Sequence, residues 1–136
     1  MERRHSRNVP AIPLVALIDA DPDTREPWTD GLAPLGFDTI VVRPGQDAYT
    51  QLWEKHPDVI VMEMTLSHAD AWQLVHQLRR TPHTRDIPIV VLTASAESTI
   101  RERAEREHCA GLFLKSCRPE ELARGLRDAL RPAPRS

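Results

Sequence analysis

Three acids, a hydroxyl and an amine follow apolar segments of this 136-residue chain within three residues, at positions where they could do chemistry. Asp19 and Asp21 follow LVALI, Glu63 follows VIVM, Thr93 follows IPIVVL and Lys115 follows LFL. Carboxylates, hydroxyls and amines that meet in one crevice can bind a metal ion, take part in phosphoryl transfer or pair their charges. Each is also a residue type that ends strands simply because it is solvated, so their chemistry depends on whether the fold brings them together.

The apolar segments that precede these residues recur at fairly even intervals. They cover residues 14–18, 39–42, 59–62, 87–92 and 112–114. Short runs that are apolar throughout predict strands that are buried on both faces of a sheet. The intervening segments predict helices because their apolar residues recur with a helical period, as at Ala71, Leu74, Val75 and Leu78.

Alternation of strand and helix predicts an α/β fold, with a five-stranded parallel sheet and helices on both faces. Right-handed crossovers leave few arrangements, and we expect the flavodoxin-like strand order 2-1-3-4-5. The carboxyl ends of the strands then share one edge, where the acids, the hydroxyl and the amine would meet. We predict one domain at residues 13–131, a flexible basic tail at residues 1–12 and a second tail at residues 132–136.

Two of the predicted helices have unusual sequences. Asp21 precedes a proline and predicts a helix cap, while Pro27 falls inside the same helix, where it removes a hydrogen bond and bends the chain. The segment 97–108 offers only Ile100 and Ala104 as apolar contacts and pairs opposite charges four residues apart. That pattern predicts a solvent-exposed helix held weakly to the core.

Composition argues against some partners and some cellular compartments. A formal net charge of −2 argues against nucleic acid, and no apolar run approaches the roughly 20 residues of a membrane span. Cys109 and Cys117 lack the spacing of a redox or zinc motif, so we expect reduced thiols in a cytoplasmic protein. The six histidines are scattered without the tight spacing of metal ligands, so we predict no metal site from them.

The chain resembles the receiver domains of bacterial two-component response regulators over residues 13–131. The matching segments are LVALIDADPDTRE, PDVIVMEMTLSHADAWQL, IPIVVLTASA and GLFLKSCRPEEL, in the family's order and spacing. The resemblance implies a phosphorelay domain in which paired acids hold magnesium and a strand-3 aspartate accepts a phosphoryl group from a histidine kinase. A threonine or serine and a lysine then contact the phosphate, and the face formed by helix 4, strand 5 and helix 5 changes its partners.

The chain departs from the family's pattern where this chemistry takes place. Glu63 aligns with the phosphoacceptor aspartate, and Ala20 aligns with the second acid of the metal-binding pair, so that only Asp19 remains. Asp21 fits a helix cap better than a metal ligand. Because magnesium requires a nearly ideal octahedron of oxygen ligands, we expect its binding to be weak or absent and predict no cofactor.

The residues that respond to phosphorylation in the family are only partly present. Thr93 and Lys115 keep the phosphate-contact positions, whereas the aromatic switch residue aligns with Leu112 and the usual proline after the lysine is Ser116. Glu63 is one methylene longer than aspartate, so its carboxylate can project toward Lys115. It would mimic a phosphate only in part, because a phosphate carries about 1.5 to 2 negative charges and three acceptor oxygens. The alternative is a degenerate site that does not switch.

These features favour a stand-alone, atypical receiver domain, or pseudo-receiver, that is not an enzyme and acts by protein–protein contact. Its partner would be a histidine kinase or an output protein bound at the helix 4–strand 5–helix 5 face. A homodimer is an alternative. The first alternative is a phosphorylatable receiver, in which Glu63 or a nearby residue accepts the phosphoryl group.

The second alternative is a phosphohydrolase of the haloacid-dehalogenase type. IDADPDT places a DxD motif after a strand, which would make Asp19 the nucleophile, with Thr93 and Lys115 in that family's hydroxyl and lysine roles. However, Asp23 stands where that motif has threonine or valine, and no later acidic pair supplies the remaining metal ligands.

Overall fold

The five apolar segments form strands in the computed structural model, which describes residues 10–18, 22–45, 47–64, 68–95 and 97–131. The strands are β1 (Leu14–Ile18), β2 (Asp38–Val42), β3 (Val59–Met64), β4 (Ile89–Thr93) and β5 (Gly111–Leu114). They form one parallel sheet in the order β2-β1-β3-β4-β5. The predicted flavodoxin-like order is confirmed.

Helices connect these strands as the sequence predicts. They are α1 (Pro22–Leu32), α2 (Ala48–Lys55), α3 (His68–Arg80), α4 (Ser98–Arg106) and α5 (Pro119–Leu130), with a short 3-10 helix at Ala33–Leu35. Pro27 lies inside α1, as predicted, whereas the predicted cap at Asp21 lies outside the described residues. None of the described helices has the length and apolar character needed to cross a membrane.

The sheet separates two apolar layers. Ile60 and Met62 of β3 point into the layer formed with α2, α3 and α4, whereas Val59 and Val61 point into the layer formed with α1 and α5. All four side chains are fully buried. Successive residues of a strand face opposite sides, so a strand covered on both faces must be apolar throughout, which explains why the runs do not alternate with polar residues.

Strand β3 extends two residues beyond its predicted end, so Glu63 lies inside the strand rather than after it. Met64 continues the apolar alternation, is buried, and pairs with Thr93 of β4. The residues before and after Glu63 both pair with β4, so the backbone of Glu63 is fixed within the sheet. Its side chain therefore starts from a buried position.

Helix α4 differs in one respect from the sequence prediction. Ile100 and Ala104 are its buried residues, as expected, but the carboxyl-terminal end of the helix also contacts α3 through polar and aromatic side chains. Of the three charge pairs four residues apart, the structure forms Arg103–Glu107; no ion pair joins Glu97 to Arg101 or Glu102 to Arg106 in this described segment. The helix is therefore anchored more firmly at that end than the sequence predicts.

Candidate functional site

Glu63 is a buried carboxylate in the central strand of the sheet. Its side chain is 1% exposed, and its residue pairs with Leu92 of β4 while the preceding Met62 pairs with Ile18 of β1. Moving a carboxylate out of water costs several kcal/mol unless another charge or hydrogen bonds compensate. A glutamate held there must therefore have a charged or strongly polar partner.

Lys115 supplies that partner. It directly follows β5, and its ammonium Nζ forms an ion pair with Oε2 of Glu63. Its main-chain N–H donates a hydrogen bond of 2.7 Å to the carbonyl oxygen of Thr93, which fixes the start of the loop after β5 beside the end of β4. The lysine side chain thereby reaches across β4 to β3, and it remains 22% exposed.

Thr93 lies at the same edge but uses its hydroxyl locally. The residue is the last of β4 and is 2% exposed. Its Oγ1 donates to the carbonyl oxygen of Ser95 at 3.0 Å and accepts from the Ser95 N–H at 3.3 Å. The hydroxyl thus closes the turn that leads toward α4.

Leu112, at the predicted switch position, and the neighbouring Phe113 face opposite layers of the protein. Leu112 is half-buried against the layer that contains α4, and Phe113 packs in the layer that contains α5. The ring of Phe113 therefore contacts α5 and not α4. Phe113 lies one residue after the position of the family's switch residue. The peptide bond between Lys115 and Ser116 is trans.

The remaining predicted site residues, Asp19, Ala20 and Asp21, lie outside the described residues. Within the described ranges, no group of three or more histidine, cysteine, aspartate or glutamate side chains is placed to hold a metal ion. Because the acids after β1 are not among those residues, the expectation of weak magnesium binding stays a prediction.

The two cysteines are free thiols. Burial raises the pKa of Cys109 to about 11, and burial also raises that of Cys117. Thiols with raised pKa values stay protonated at neutral pH and are poor nucleophiles. Among the described residues, the Glu63–Lys115 ion pair is therefore a better candidate for a functional site than the two cysteines.

Comparison with known proteins identifies the family. A family model for the response regulator receiver domain matches residues 15–127, most of the chain. The chain belongs to this family. The phosphohydrolase alternative finds no support, because the family model that matches is that of the response regulator receiver domain.

Relatives of this receiver domain are larger proteins. The phosphate regulon transcriptional regulatory protein PhoB of Escherichia coli strain K12 is 28% identical over 117 residues, which cover 86% of this chain and 51% of PhoB. The luminescence regulatory protein LuxO of Vibrio campbellii is 28% identical over 102 residues, which cover 75% of this chain and 22% of LuxO. The chain spans about half the length, or less, of these curated relatives.

Solved structures support the same fold. A sensor protein from Polaromonas sp. JS666 superposes with a TM-score of 0.78 at 25% identity, over 87% of this chain and 95% of that one. A response regulator from Thermotoga maritima superposes with a TM-score of 0.77 at 19% identity, over 88% and 98%. This receiver domain therefore shares the family's architecture and carries an ion pair between Glu63 and Lys115 at the edge where the strands end.

Proposed function

We propose that this receiver domain is atypical: it acts through protein–protein contacts, has no catalytic activity, and is not conventionally phosphorylated. The observation that carries the proposal is the ion pair between Glu63 and Lys115. Glu63 aligns with the phosphoacceptor aspartate, and Lys115 aligns with the lysine that contacts the phosphate in the family. The lysine therefore already holds a negative charge without phosphoryl transfer.

The ion pair would hold the protein in one arrangement of its output face. It joins the end of β3 to the segment after β5, and the Lys115 N–H joins that segment to β4. A charge can shift a conformational equilibrium only by its different interaction with the two states. Glutamate supplies one charge where a phosphate supplies about 1.5 to 2, so we expect a partial and permanent version of the phosphorylated state.

Magnesium has no part in this proposal. The acid that Ala20 replaces is a metal ligand in the family, and the Glu63 carboxylate is neutralised by Lys115. Such a donor set fits magnesium poorly, since the ion is held by carboxylate oxygens in strict octahedral geometry.

The partner surface in this proposal is the face formed by α4, β5 and α5. Leu114 of β5 is 38% exposed there, and protein interfaces have an apolar core surrounded by a polar rim. We propose a histidine kinase or an output protein as the partner, with a homodimer through the same face as a further option. The free thiols of Cys109 and Cys117 fit a reducing bacterial cytoplasm.

Hydrogen exchange on matched variants tests the proposal. Glu63→Gln leaves the ammonium of Lys115 without its carboxylate, and Lys115→Ala leaves the carboxylate buried without its ammonium. Both variants should lower the free energy of opening at residues 97–117 by about 1–2 kcal/mol, so that hydrogen exchange there becomes faster. Both should also weaken the binding of a partner on that face. The double variant should add little, because both residues serve one interaction.

Glu54→Gln and Lys55→Ala, exposed residues of α2, are the matched controls and should leave exchange at residues 97–117 unchanged. If exchange and partner binding are also unchanged in Glu63→Gln and Lys115→Ala, the ion pair is a relic and the proposed function is wrong.

The alternative of a phosphorylatable receiver has one observation in its favour. Thr93 and Lys115 stand at the sheet edge where the family contacts phosphate. Phosphotransfer measurements on variants at positions 20 and 63 separate the two functions.

A further inference from the structure

The fold brings together two histidines that the sequence gives no reason to pair. His56 and His83 are 27 residues apart in the chain, and the centres of their rings lie 4.6 Å apart. His56 follows α2 and precedes β3, whereas His83 lies in the turn that joins α3 to β4. Segments that lead into parallel strands share one edge of the sheet, so the pair lies at the edge opposite to Glu63 and Lys115.

Each imidazole ring is held by a hydrogen bond to the main chain. Nε2 of His56 lies 2.9 Å from the carbonyl oxygen of His83, and Nε2 of His83 lies 3.0 Å from the carbonyl oxygen of Trp53. Because a carbonyl oxygen only accepts hydrogen bonds, Nε2 must be the protonated nitrogen of both rings. Nδ1 of each neutral ring then keeps a lone pair, and neither Nδ1 has a hydrogen-bond partner among the described residues.

This arrangement matches that of histidines that bind metal ions. Such a histidine binds the ion through one nitrogen and usually donates the N–H of the other to a carbonyl or carboxylate group, which fixes the tautomer and the orientation of the ring. His56 and His83 already make this second hydrogen bond. His83 is exposed and His56 is half-buried, so an ion in solution can reach both rings.

The tilt of the two rings permits one ion to bind both. A lone pair of imidazole lies in the plane of its ring, so an ion bound by two rings lies where their planes cross. Planes tilted by 57° cross, whereas the parallel planes of a face-to-face stack do not. Bonds of about 2.0–2.1 Å from zinc to each nitrogen require the two nitrogens to lie within about 4 Å of each other. Rings with centres 4.6 Å apart are close enough for this.

We infer that His56 and His83 bind one divalent transition-metal ion per chain through their Nδ1 atoms, with water molecules completing its coordination. Imidazole nitrogen is a ligand for zinc, copper and nickel, whereas magnesium and calcium take oxygen ligands. Trp53 adds to the site, because its ring lies 4.4 Å from that of His83 and attracts an imidazole that gains positive charge from the metal. The ion joins the end of α2 to the turn before β4.

Titration of the full chain with zinc chloride, followed by residue-specific NMR shifts, tests the site. We expect saturable shifts at the amides of residues 53–55 and 84–86, and no shifts there with magnesium chloride. Copper(II) should compete with zinc and bind more tightly. Zinc shifts confined to other parts of the chain overturn the inference. A zinc-dependent dimer in sedimentation experiments also overturns it, because the ion would then join two chains.

Two variants remove one ligand each. His56→Gly suits the φ of 46° at this position, where glycine is free of steric strain, so the fold is kept while the imidazole is lost. His83→Ala removes the second ring. Each should weaken zinc binding, measured at the amides of residues 53–55, by about tenfold or more. A variant that binds zinc as tightly as the wild type overturns the site.

Two further variants are controls. His76→Ala removes an exposed histidine of α3 whose ring bonds to Glu107, and it should leave zinc binding at residues 53–55 unchanged. Glu63→Gln should also leave it unchanged, because the histidine pair lies at the other edge of the sheet. Equal weakening by His76→Ala and His83→Ala would show non-specific attraction of zinc to histidine and overturn the inference.

Discussion

His76 of α3 donates a hydrogen bond to Glu107, which follows α4, with 2.6 Å between Nε2 and Oε2. The same carboxylate oxygen accepts a second hydrogen bond of 3.0 Å from Nε of Arg103. The guanidinium of Arg103 lies 5.1 Å from the centre of the Trp72 ring, again on α3. These four side chains anchor the carboxyl-terminal end of α4 on α3.

The first prediction concerns the pH dependence of this contact. Burial alone would raise the pKa of Glu107, but the hydrogen bonds from His76 and Arg103 and the electrostatic interaction with these two side chains outweigh burial and lower the pKa below its ordinary value of 4.5. A lowered folded-state pKa contributes stability that is present above the unfolded pKa and is lost as the pH falls through the folded value. The contribution of Glu107 should therefore be complete at pH 7 and vanish in acid.

Glu107→Gln should accordingly lower the free energy of unfolding by about 0.5–1 kcal/mol at neutral pH, the size of a partly exposed ion-pair network. The difference from the wild type should shrink below pH 4.5. Urea denaturation at several pH values measures it, and Glu102→Gln on the exposed face of α4 is the control. A difference that stays constant into acid would mean that the glutamate acts through packing and not through charge.

The second prediction concerns magnesium. Millimolar magnesium chloride should not raise the melting temperature, because Ala20 supplies no oxygen ligand and Lys115 neutralises Glu63. A ligand that binds the native state stabilises it by about 2.7 kcal/mol at 100 times its dissociation constant, so real binding would be visible in thermal melts. A magnesium-dependent rise in melting temperature that disappears in Asp19→Ala would contradict this prediction.

The third prediction concerns phosphotransfer. The wild type should take no label from acetyl phosphate, and Glu63→Asp alone should restore little, because the ion that neutralises the developing charge is still absent. Ala20→Asp combined with Glu63→Asp should restore more than the sum of the single changes, since both groups serve one ion. Radiolabel incorporation measures this. The account of Ala20 fails if Glu63→Asp labels as well as the double variant.

Sequence predicts the sheet and the Glu63–Lys115 pair for the same physical reason. Strands that are buried on both faces must be apolar throughout, so they stand out from the amphipathic helices. Parallel strands end at one edge, so an acid and an amine at that edge of β3 and β5 are expected to meet. The ends of strands are less certain, and β3 runs on through Glu63 to Met64.

Contacts that depend on how two elements are rotated against each other could not be predicted. His76 and Glu107 are 31 residues apart, and neither lies in an apolar pattern that fixes the face on which it meets the other. The hydroxyl of Thr93 bonds to Ser95, a choice set by the local turn.

The last prediction concerns the packing of α5 on β5, which shapes the proposed partner face. Gly125 lies inside α5, and replacing glycine by alanine in a helix interior ordinarily stabilises a protein by about 1 kcal/mol. Here a Cβ atom at position 125 would overlap the ring of Phe113, at 2.5 Å from Cε1. Overpacking of this kind costs about 1–3 kcal/mol. Gly125→Ala should therefore destabilise the domain, by up to about 2 kcal/mol once the propensity gain is subtracted.

A double-mutant cycle with Phe113→Leu checks the cause. The smaller, branched side chain vacates the space beside position 125, so Gly125→Ala should become neutral or stabilising in the Phe113→Leu background. Chemical denaturation of the four proteins measures the coupling free energy, which should be of the order of 1–2 kcal/mol. If Gly125→Ala stabilises the wild type as helix propensity alone requires, Phe113 does not hold α5 in place, and the partner face is free to move there.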